Sequence, residues 1–185
     1  DFFTMKGVVE EFLDRVGMRV KPVYNPQAGI PFLHPGRQAA IEYNGTEIGY
    51  LGEVHPDVAD NYGIGEKAYI AVIDIPAVTE LASFDRKFTG IAKFPAVSRD
   101  ISMLVPKNIL VGTIENIIEK RGGKLVENFS LFDIYEGSQI QEGFKSVAYT
   151  ISFRAKDRTL EDKDITPVMD KILKDLSDIG IELRS

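Results

Sequence analysis

Phe144-Lys-Ser-Val-Ala-Tyr-Thr-Ile-Ser-Phe-Arg154 decides the reading of this chain. Side chains on a strand alternate between the two faces of its sheet. Val147, Tyr149, Ile151 and Phe153 therefore point one way, and Ser146, Ala148, Thr150, Ser152 and Arg154 point the other. A strand with one greasy and one small polar side belongs to a sheet that is covered on one face only. The same period recurs upstream. In residues 100–105, Ile101, Met103 and Val105 share a side. In residues 125–136, Phe132 and Ile134 share one side while Asp133 and Tyr135 take the other. Residues 181–184 supply a last short strand, with Ile181 and Leu183 on the apolar side. Two helical patterns separate these strands. Residues 113–121 are capped by Thr113 and stopped by Gly122-Gly123. The second helix covers about 162–177 and has two candidate starts, a capping box from Thr159 to Asp162 or Thr166-Pro167. The order βαββαβ is the ferredoxin-like plan. The apolar set, Phe132, Ile134 and Leu183 included, is expected to pack against the helices.

The first half is α+β with an antiparallel sheet. Met5, Val8, Val9, Phe12, Leu13 and Val16 recur at three and four, predicting a helix with Thr4 as N-cap and Gly17 as stop. Strands are predicted at 18–23, 38–43, 47–52 and 67–75, and short helices at 55–62 and 76–82. Asn44-Gly45 between the second and third strands is a hairpin signal, because both central residues of that turn take positive φ. Residues 25–35 hold three prolines and a glycine and read as a loop. Residues 83–93 lack a clear period and mark the boundary, so the expected domains are 1–92 and 93–185.

The 185 residues are 44% hydrophobic and 27% charged, an ordinary balance for a folded protein. No apolar run approaches the ~20 residues of a membrane span. There is no Cys, so disulfides, thiolate metal sites and Cys nucleophiles are excluded. The chain opens on Asp1, which suggests that it is processed or excised from something longer. The net charge is −6, with −5 in residues 1–92 and −1 in 93–185. Neither half is the strongly basic domain of an autonomous nucleic-acid binder, so any RNA contact must use a local patch.

The open face of the second-half sheet is polar and small apart from Leu104 and Tyr135. Pattern alone favours a plain solvated face, since antiparallel sheets commonly keep one side wet. The alternative is a surface for unstacked bases, with Tyr135 as platform and small neighbours beside it. His34 and His55 each precede a proline and read as turn residues; a metal site needs more converging ligands. Arg37 is free to pair with a buried carboxylate or to face a partner. No carboxylate pair or Ser-His-Asp set stands out, so no catalytic or metal residue is expected.

Lys93-Phe-Pro-Ala-Val97, Arg99-Asp100, Leu131-Phe-Asp-Ile-Tyr-Glu-Gly137, Lys145-Ser146 and Arg158-Thr-Leu160 resemble the ferredoxin-fold anticodon-binding domain that closes the β subunit of bacterial phenylalanyl-tRNA synthetases. Asp1-Phe-Phe-Thr-Met-Lys-Gly7, His34-Pro-Gly-Arg37 and Leu51-Gly-Glu-Val-His-Pro56 are similar to the non-catalytic synthetase-like module that precedes it, truncated here at its N-terminus. The resemblance implies a cytoplasmic α2β2 ligase that joins phenylalanine to its tRNA with ATP and Mg²⁺, its chemistry in the α subunit. It implies no cofactor in this fragment, and as partners the tRNA-Phe anticodon loop, the α subunit and a second β subunit. It carries the first anticodon base to Asp133 and Tyr135 and a further contact to Ser146. Ala148 joins them by geometry, being two residues on along the same face. Lys93, Arg99, Lys145, Arg154, Lys156 and Arg158 are candidate phosphate contacts, and Ser98 stands where relatives often carry Arg. Two other readings of the fold remain. One is an acylphosphatase-like hydrolase, disfavoured because the loop 106–112 has no Arg to hold an anion. The other is a small-molecule sensor that dimerises through its sheet.

Overall fold

The computed structural model describes residues 1–85, 88 and 90–184. The chain divides into two compact units, Asp1–Phe88 and Thr89–Ser185. The expected boundary at 83–93 includes Arg86, Lys87 and Thr89, which lie outside the described residues.

In the first unit, helix α1 (Phe2–Arg15) starts earlier than its apolar period suggests. Asp1 is the N-cap, and its Oδ1 accepts from the Thr4 N–H at 2.8 Å and from the Thr4 hydroxyl at 3.0 Å. A carboxylate satisfies the orphan N–H groups of the first turn as well as a hydroxyl does, so Thr4 sits inside the helix instead of capping it. Strands β1 (Val23–Asn25), β2 (Leu33–Tyr43), β3 (Thr46–Val54) and β4 (Tyr69–Ile73) form one antiparallel sheet in that order. Short helices α2 (Pro56–Asn61) and α3 (Ile75–Leu81) flank β4 in sequence. Asn44 and Gly45, at φ 50° and 80°, make the expected turn between β2 and β3. The strand expected over 18–23 is reduced to β1, because Met18 turns into the core instead of joining the ladder. Val9, Leu13, Ile41, Tyr43, Ile48, Leu51 and Val78 complete that core.

Arg37 finds its carboxylate inside this unit. Its Nη1 lies 2.8 Å from Glu53 Oε1, and the Tyr69 hydroxyl donates to Glu53 Oε2 at 2.8 Å. Glu53 is only 3% exposed, and the Tyr69 hydroxyl and Arg37 together hold its carboxyl below the usual range. The two histidines are turn elements: His34 Nδ1 accepts from Gly36 N–H at 3.1 Å, and His55 Nδ1 accepts from Asp57 N–H at 3.2 Å.

The second unit runs β5 (Val97–Pro106), α4 (Val111–Gly122), β6 (Val126–Tyr135), β7 (Phe144–Phe153), α5 (Asp162–Asp178) and β8 (Glu182–Leu183). The sheet order is β6-β7-β5-β8 with every pair antiparallel, the ferredoxin-like arrangement. Ile101, Met103 and Val105 join Val147, Tyr149, Ile151 and Phe153 in a core with Ile114 and Ile118 of α4 and Ile165, Ile172 and Leu176 of α5. Each such side chain contributes roughly 1.5–3 kcal/mol of burial. The Tyr149 hydroxyl donates to Glu115 at 3.3 Å, and burial pushes its pKa up.

Helix α5 starts at Asp162 as expected, but the caps of both helices differ from expectation. Helix α4 is entered from Leu110 without a side-chain cap, and Thr113 already lies in its first turn. Helix α5 uses a capping box between Glu161 and Asp164, with the Glu161 N–H donating to Asp164 Oδ2 at 3.0 Å. Acidic residues suit that end of the dipole, and Pro167 is carried inside the helix at the cost of one backbone bond.

Three residues expected in the core are outside it. Phe132, Ile134 and Leu183 are 58%, 44% and 55% exposed. The ladder slips between Leu131 and Asp133, so Phe132 is an extra residue with no partner across the strand. Ile134 still opposes Val147, but β6 is an edge strand, and of its apolar residues only Val126 and Phe129, near its start, pack on the core. Leu183 lies on the opposite edge, in a strand of two residues.

Candidate nucleic-acid interface

The helix-free face of the second unit is built in rows across the strands. Ser98 and Ser152 are opposite each other, as are Asp100 and Thr150. These rows satisfy themselves: the two serine hydroxyls lie 3.0 Å apart, and Thr150 donates to Asp100 at 2.6 Å. That end of the face is the ordinary wet surface of an antiparallel sheet.

The other end is different. Asp133, Ala148 and Ser102 form one row, and Tyr135, Ser146 and Leu104 the next. Asp133 and Tyr135 are exposed, and neither side chain has a hydrogen bond or ion pair among the described residues. Ser146 and Ala148 form a floor that is only 4% and 6% exposed beneath taller neighbours. The four residues expected to meet a base are thus brought together on adjacent rows of two paired strands.

The orientation of Tyr135 has a local cause. Its ring folds back over Gly137, where an added Cβ would lie 2.2 Å from the hydroxyl oxygen and 2.5 Å from Cζ. Only a residue without a Cβ lets the ring lie there. Glu136, between the two, is tied to Lys107 at 2.9 Å, and that hydrogen bond holds its carboxyl below the usual range. The segment after β6 is therefore fastened to the loop after β5.

The candidate phosphate contacts divide. Lys145 opposes Val105 on the helix side and donates to the Ile109 carbonyl at 2.9 Å. Arg99 is on the same side and pairs with Asp162. Arg154 bonds Glu127 at 2.8 Å and also the Phe94 carbonyl, and Arg158 bonds Asp164 at 3.1 Å. Lys93 and Lys156 are exposed near the far end of β7. Six residues of β7 separate that end from Ser146, roughly 20 Å of strand.

Two residues at this end escaped the sequence reading. One is Gly137. The other is Arg184, whose N–H donates to the Ser102 carbonyl at 2.8 Å and whose Nη1 lies 3.4 Å from Ser146 Oγ. Its signal was present: if Ile181 and Leu183 face the helices, Glu182 and Arg184 must face the open side.

An exposed ring, a free carboxylate and a guanidinium above a floor of small residues define a ferredoxin-like domain with a surface suited to single-stranded nucleic acid. Comparison with known families agrees with this class. Residues 92–184 match the family described as the ferredoxin-fold anticodon binding domain, and residues 1–75 match the phenylalanyl tRNA synthetase beta chain CLM domain. The chain belongs to the ferredoxin-fold anticodon-binding domain family, as that domain occurs in phenylalanyl-tRNA synthetase beta chains. Over all 185 residues it is 44% identical to the phenylalanine–tRNA ligase beta subunit of Clostridium acetobutylicum and 43% identical to that of Clostridium tetani. It is 36% identical to the Bacillus subtilis beta subunit over 96% of this chain. The chain spans 22–23% of the length of these curated relatives. Among the described residues no helix is long and apolar enough to cross a membrane, and no three His, Cys, Asp or Glu are grouped to hold a metal ion.

Proposed function

We propose that this chain holds the anticodon loop of a phenylalanine tRNA for a complete phenylalanine–tRNA ligase. Asp133 and Tyr135 meet the first anticodon base, and Ser146 and Ala148 support it from below. The observation that carries this reading is the contrast within one sheet face. At its Ser98–Asp100 end the polar side chains of both strands bond one another, whereas at its other end the Asp133 and Tyr135 side chains have no hydrogen bond among the described residues. A merely wet face has no reason to differ from one end to the other.

The first unit serves packing in this proposal, against the α subunit and a second β subunit. Its sheet supports that role: Phe32 and Val72 are 39% and 42% exposed, and Tyr50, which opposes Val72, makes an edge contact with Phe32. ATP and Mg²⁺ would serve the complete enzyme, and the described residues offer no acidic or imidazole cluster to hold the metal. The hydrolase alternative loses further ground, because Lys107, in the loop where an anion would sit, is engaged by Glu136.

The test is a low-salt fluorescence titration of a labelled phenylalanine-tRNA anticodon stem-loop against the 185-residue chain, beside one with a scrambled anticodon. Preference for the true loop supports the proposal. Equal binding reduces the surface to phosphate attraction.

A further inference from the structure

Leu183 lies on the helix side of β8, opposite Met103, yet it is 55% exposed. The space beside it is a groove of about 460 Å³ between α5 and β8. Met103, Leu176 and Ile181, none more than 3% exposed, line it together with Leu173 and Leu183. That volume and apolar lining are those of small-molecule sites, which span ~300–1,000 Å³.

The α5 rim carries both signs of charge. Asp170 and Lys174 line the groove one turn apart, both exposed, and neither side chain has a hydrogen bond or ion pair among the described residues. An acid four residues before a base is the favourable order for an ion pair along a helix. In α1, Glu11–Arg15 closes to 2.7 Å, and Lys6–Glu10, in the poorer order, still closes to 3.7 Å. Asp170 and Lys174 stay open to the groove.

The strand rim offers main-chain groups. The Arg184 N–H donates to the Ser102 carbonyl. Bonded and non-bonded pairs alternate along an antiparallel ladder, so Met103 and Leu183 form a non-bonded pair. The N–H and C=O of Leu183 therefore point away from β5, and β8 is the last strand of its sheet. An open donor and acceptor on one edge residue match the main chain of one extended residue.

We propose that this groove binds an apolar α-amino acid in its zwitterionic form. The side chain enters the groove. The α-carboxylate accepts from the Leu183 N–H and pairs with Lys174; the α-ammonium donates to the Leu183 carbonyl and pairs with Asp170. A free amino acid carries both charges beside an apolar side chain, whereas a peptide segment brings the same main-chain groups without them. The groove is separate from the open face, and its test does not depend on the anticodon-loop reading.

The 185-residue chain is titrated with phenylalanine and with leucine, each to its solubility limit, and followed by amide and methyl NMR. Saturable shifts are expected at the Leu183 amide and at the methyls of Leu173, Leu176, Ile181 and Met103. Glycine lacks the side chain, phenethylamine the carboxylate and hydrocinnamate the ammonium, and each should bind more weakly than phenylalanine. Asp170→Asn and Lys174→Met should weaken phenylalanine about 2- to 5-fold, the range for an exposed ion pair. Lys174→Met should not weaken phenethylamine, which has no carboxylate for it to meet. Thermal unfolding confirms that both variants are folded. No shift at these residues with either amino acid overturns the inference. Equal binding of N-acetylphenylalanine amide would make the groove a peptide site, and shifts that follow protein concentration without ligand would make its occupant a second copy of the chain; either result also overturns it.

Discussion

Gly137→Ala should damage RNA binding while leaving the fold alone. Gly137 is not among the glycines at positive φ, so alanine suits its backbone. The conflict is with one side chain only. The new Cβ would lie 2.2 Å from Tyr135 Oη, 2.5 Å from Cζ and 3.1 Å from Cε1, all inside ordinary contact and the first by more than an ångström. Tyr135 is 39% exposed on an edge strand, so its ring has solvent to move into. The stability change should stay near that of an ordinary surface substitution, about ±0.5 kcal/mol. Binding is another matter. A displaced ring forfeits one stacked base, roughly 1–3 kcal/mol, which is about 5- to 150-fold in Kd. The decisive comparison is a double-mutant cycle. With Tyr135→Ala in place there is no ring to displace, and adding Gly137→Ala should cost nothing more. The assay is anisotropy titration of the anticodon stem-loop for all four proteins, with thermal unfolding alongside. If Gly137→Ala weakens binding by the same factor in both backgrounds, it acts through the backbone, and the account of how the ring is positioned is wrong.

Phe153→Ala removes a ring with no exposed surface from the core of the second unit and should cost about 3–5 kcal/mol, read as a lower denaturant midpoint for the transition of that unit. A protein of residues 89–185 alone should unfold cooperatively, since its core is drawn wholly from its own helices and strands; a broad, non-cooperative melt would argue otherwise. Asp164 has its carboxyl held below the usual range, first by the Glu161 backbone N–H and then by Arg158. A depressed folded-state pKa gives stability that is present above the unfolded value near ~3.9 and is lost as pH falls through the folded one. The protection of amides at the start of α5, corrected for their intrinsic exchange rate, should accordingly fall below about pH 4, and Asp164→Asn should remove that dependence.

The order of elements in the second unit was legible because each central strand has a two-residue period with one face apolar through its middle. Ile101, Met103, Val105, Val147, Tyr149, Ile151 and Phe153 fell where periodicity put them. Helix starts were less legible, since Asp1 and the Glu161–Asp164 box do with carboxylates what Thr4 and Thr159 offered to do with hydroxyls. The candidate site was half legible. Asp133, Tyr135, Ser146 and Ala148 share a face by parity alone. The grip of Gly137 on Tyr135 depends on a ring orientation that no pattern encodes. The reach of Arg184 to Ser146 depends on how a two-residue strand pairs with β5. The candidate phosphate contacts showed the opposite limit: Lys145 is next to Ser146 in sequence and Arg99 next to Asp100 of the same face, yet parity sends both to the helix side, where neighbouring groups engage them.

The bulge at Phe132 connects the failed core expectation to the site. Leu131 opposes Tyr149 on the helix side, and Asp133 opposes Ala148 on the open side. Two residues apart on a regular strand would share a face, so these two are separated only because Phe132 is extra. Deleting Phe132 should therefore leave Asp133, Ile134 and Tyr135 on their present sides and make the ladder regular from Asn128 to Tyr135, leaving only the shift between Val126 and Asn128. Fold and stem-loop affinity should survive, with stability within about 1 kcal/mol, because Phe132 is 58% exposed and pairs with nothing across the strand. The contrary outcome is sharp. If the ladder were held from the Val126 end in a way that needs the extra residue, deletion would turn Tyr135 toward the helices and Asp133 toward the core, and both binding and stability would collapse. Denaturant unfolding and stem-loop titration of the deletion variant separate the two. Survival of both would show that the hydrogen-bonded partners on β7, and not the spacing of residues along β6, decide which side chains meet the RNA.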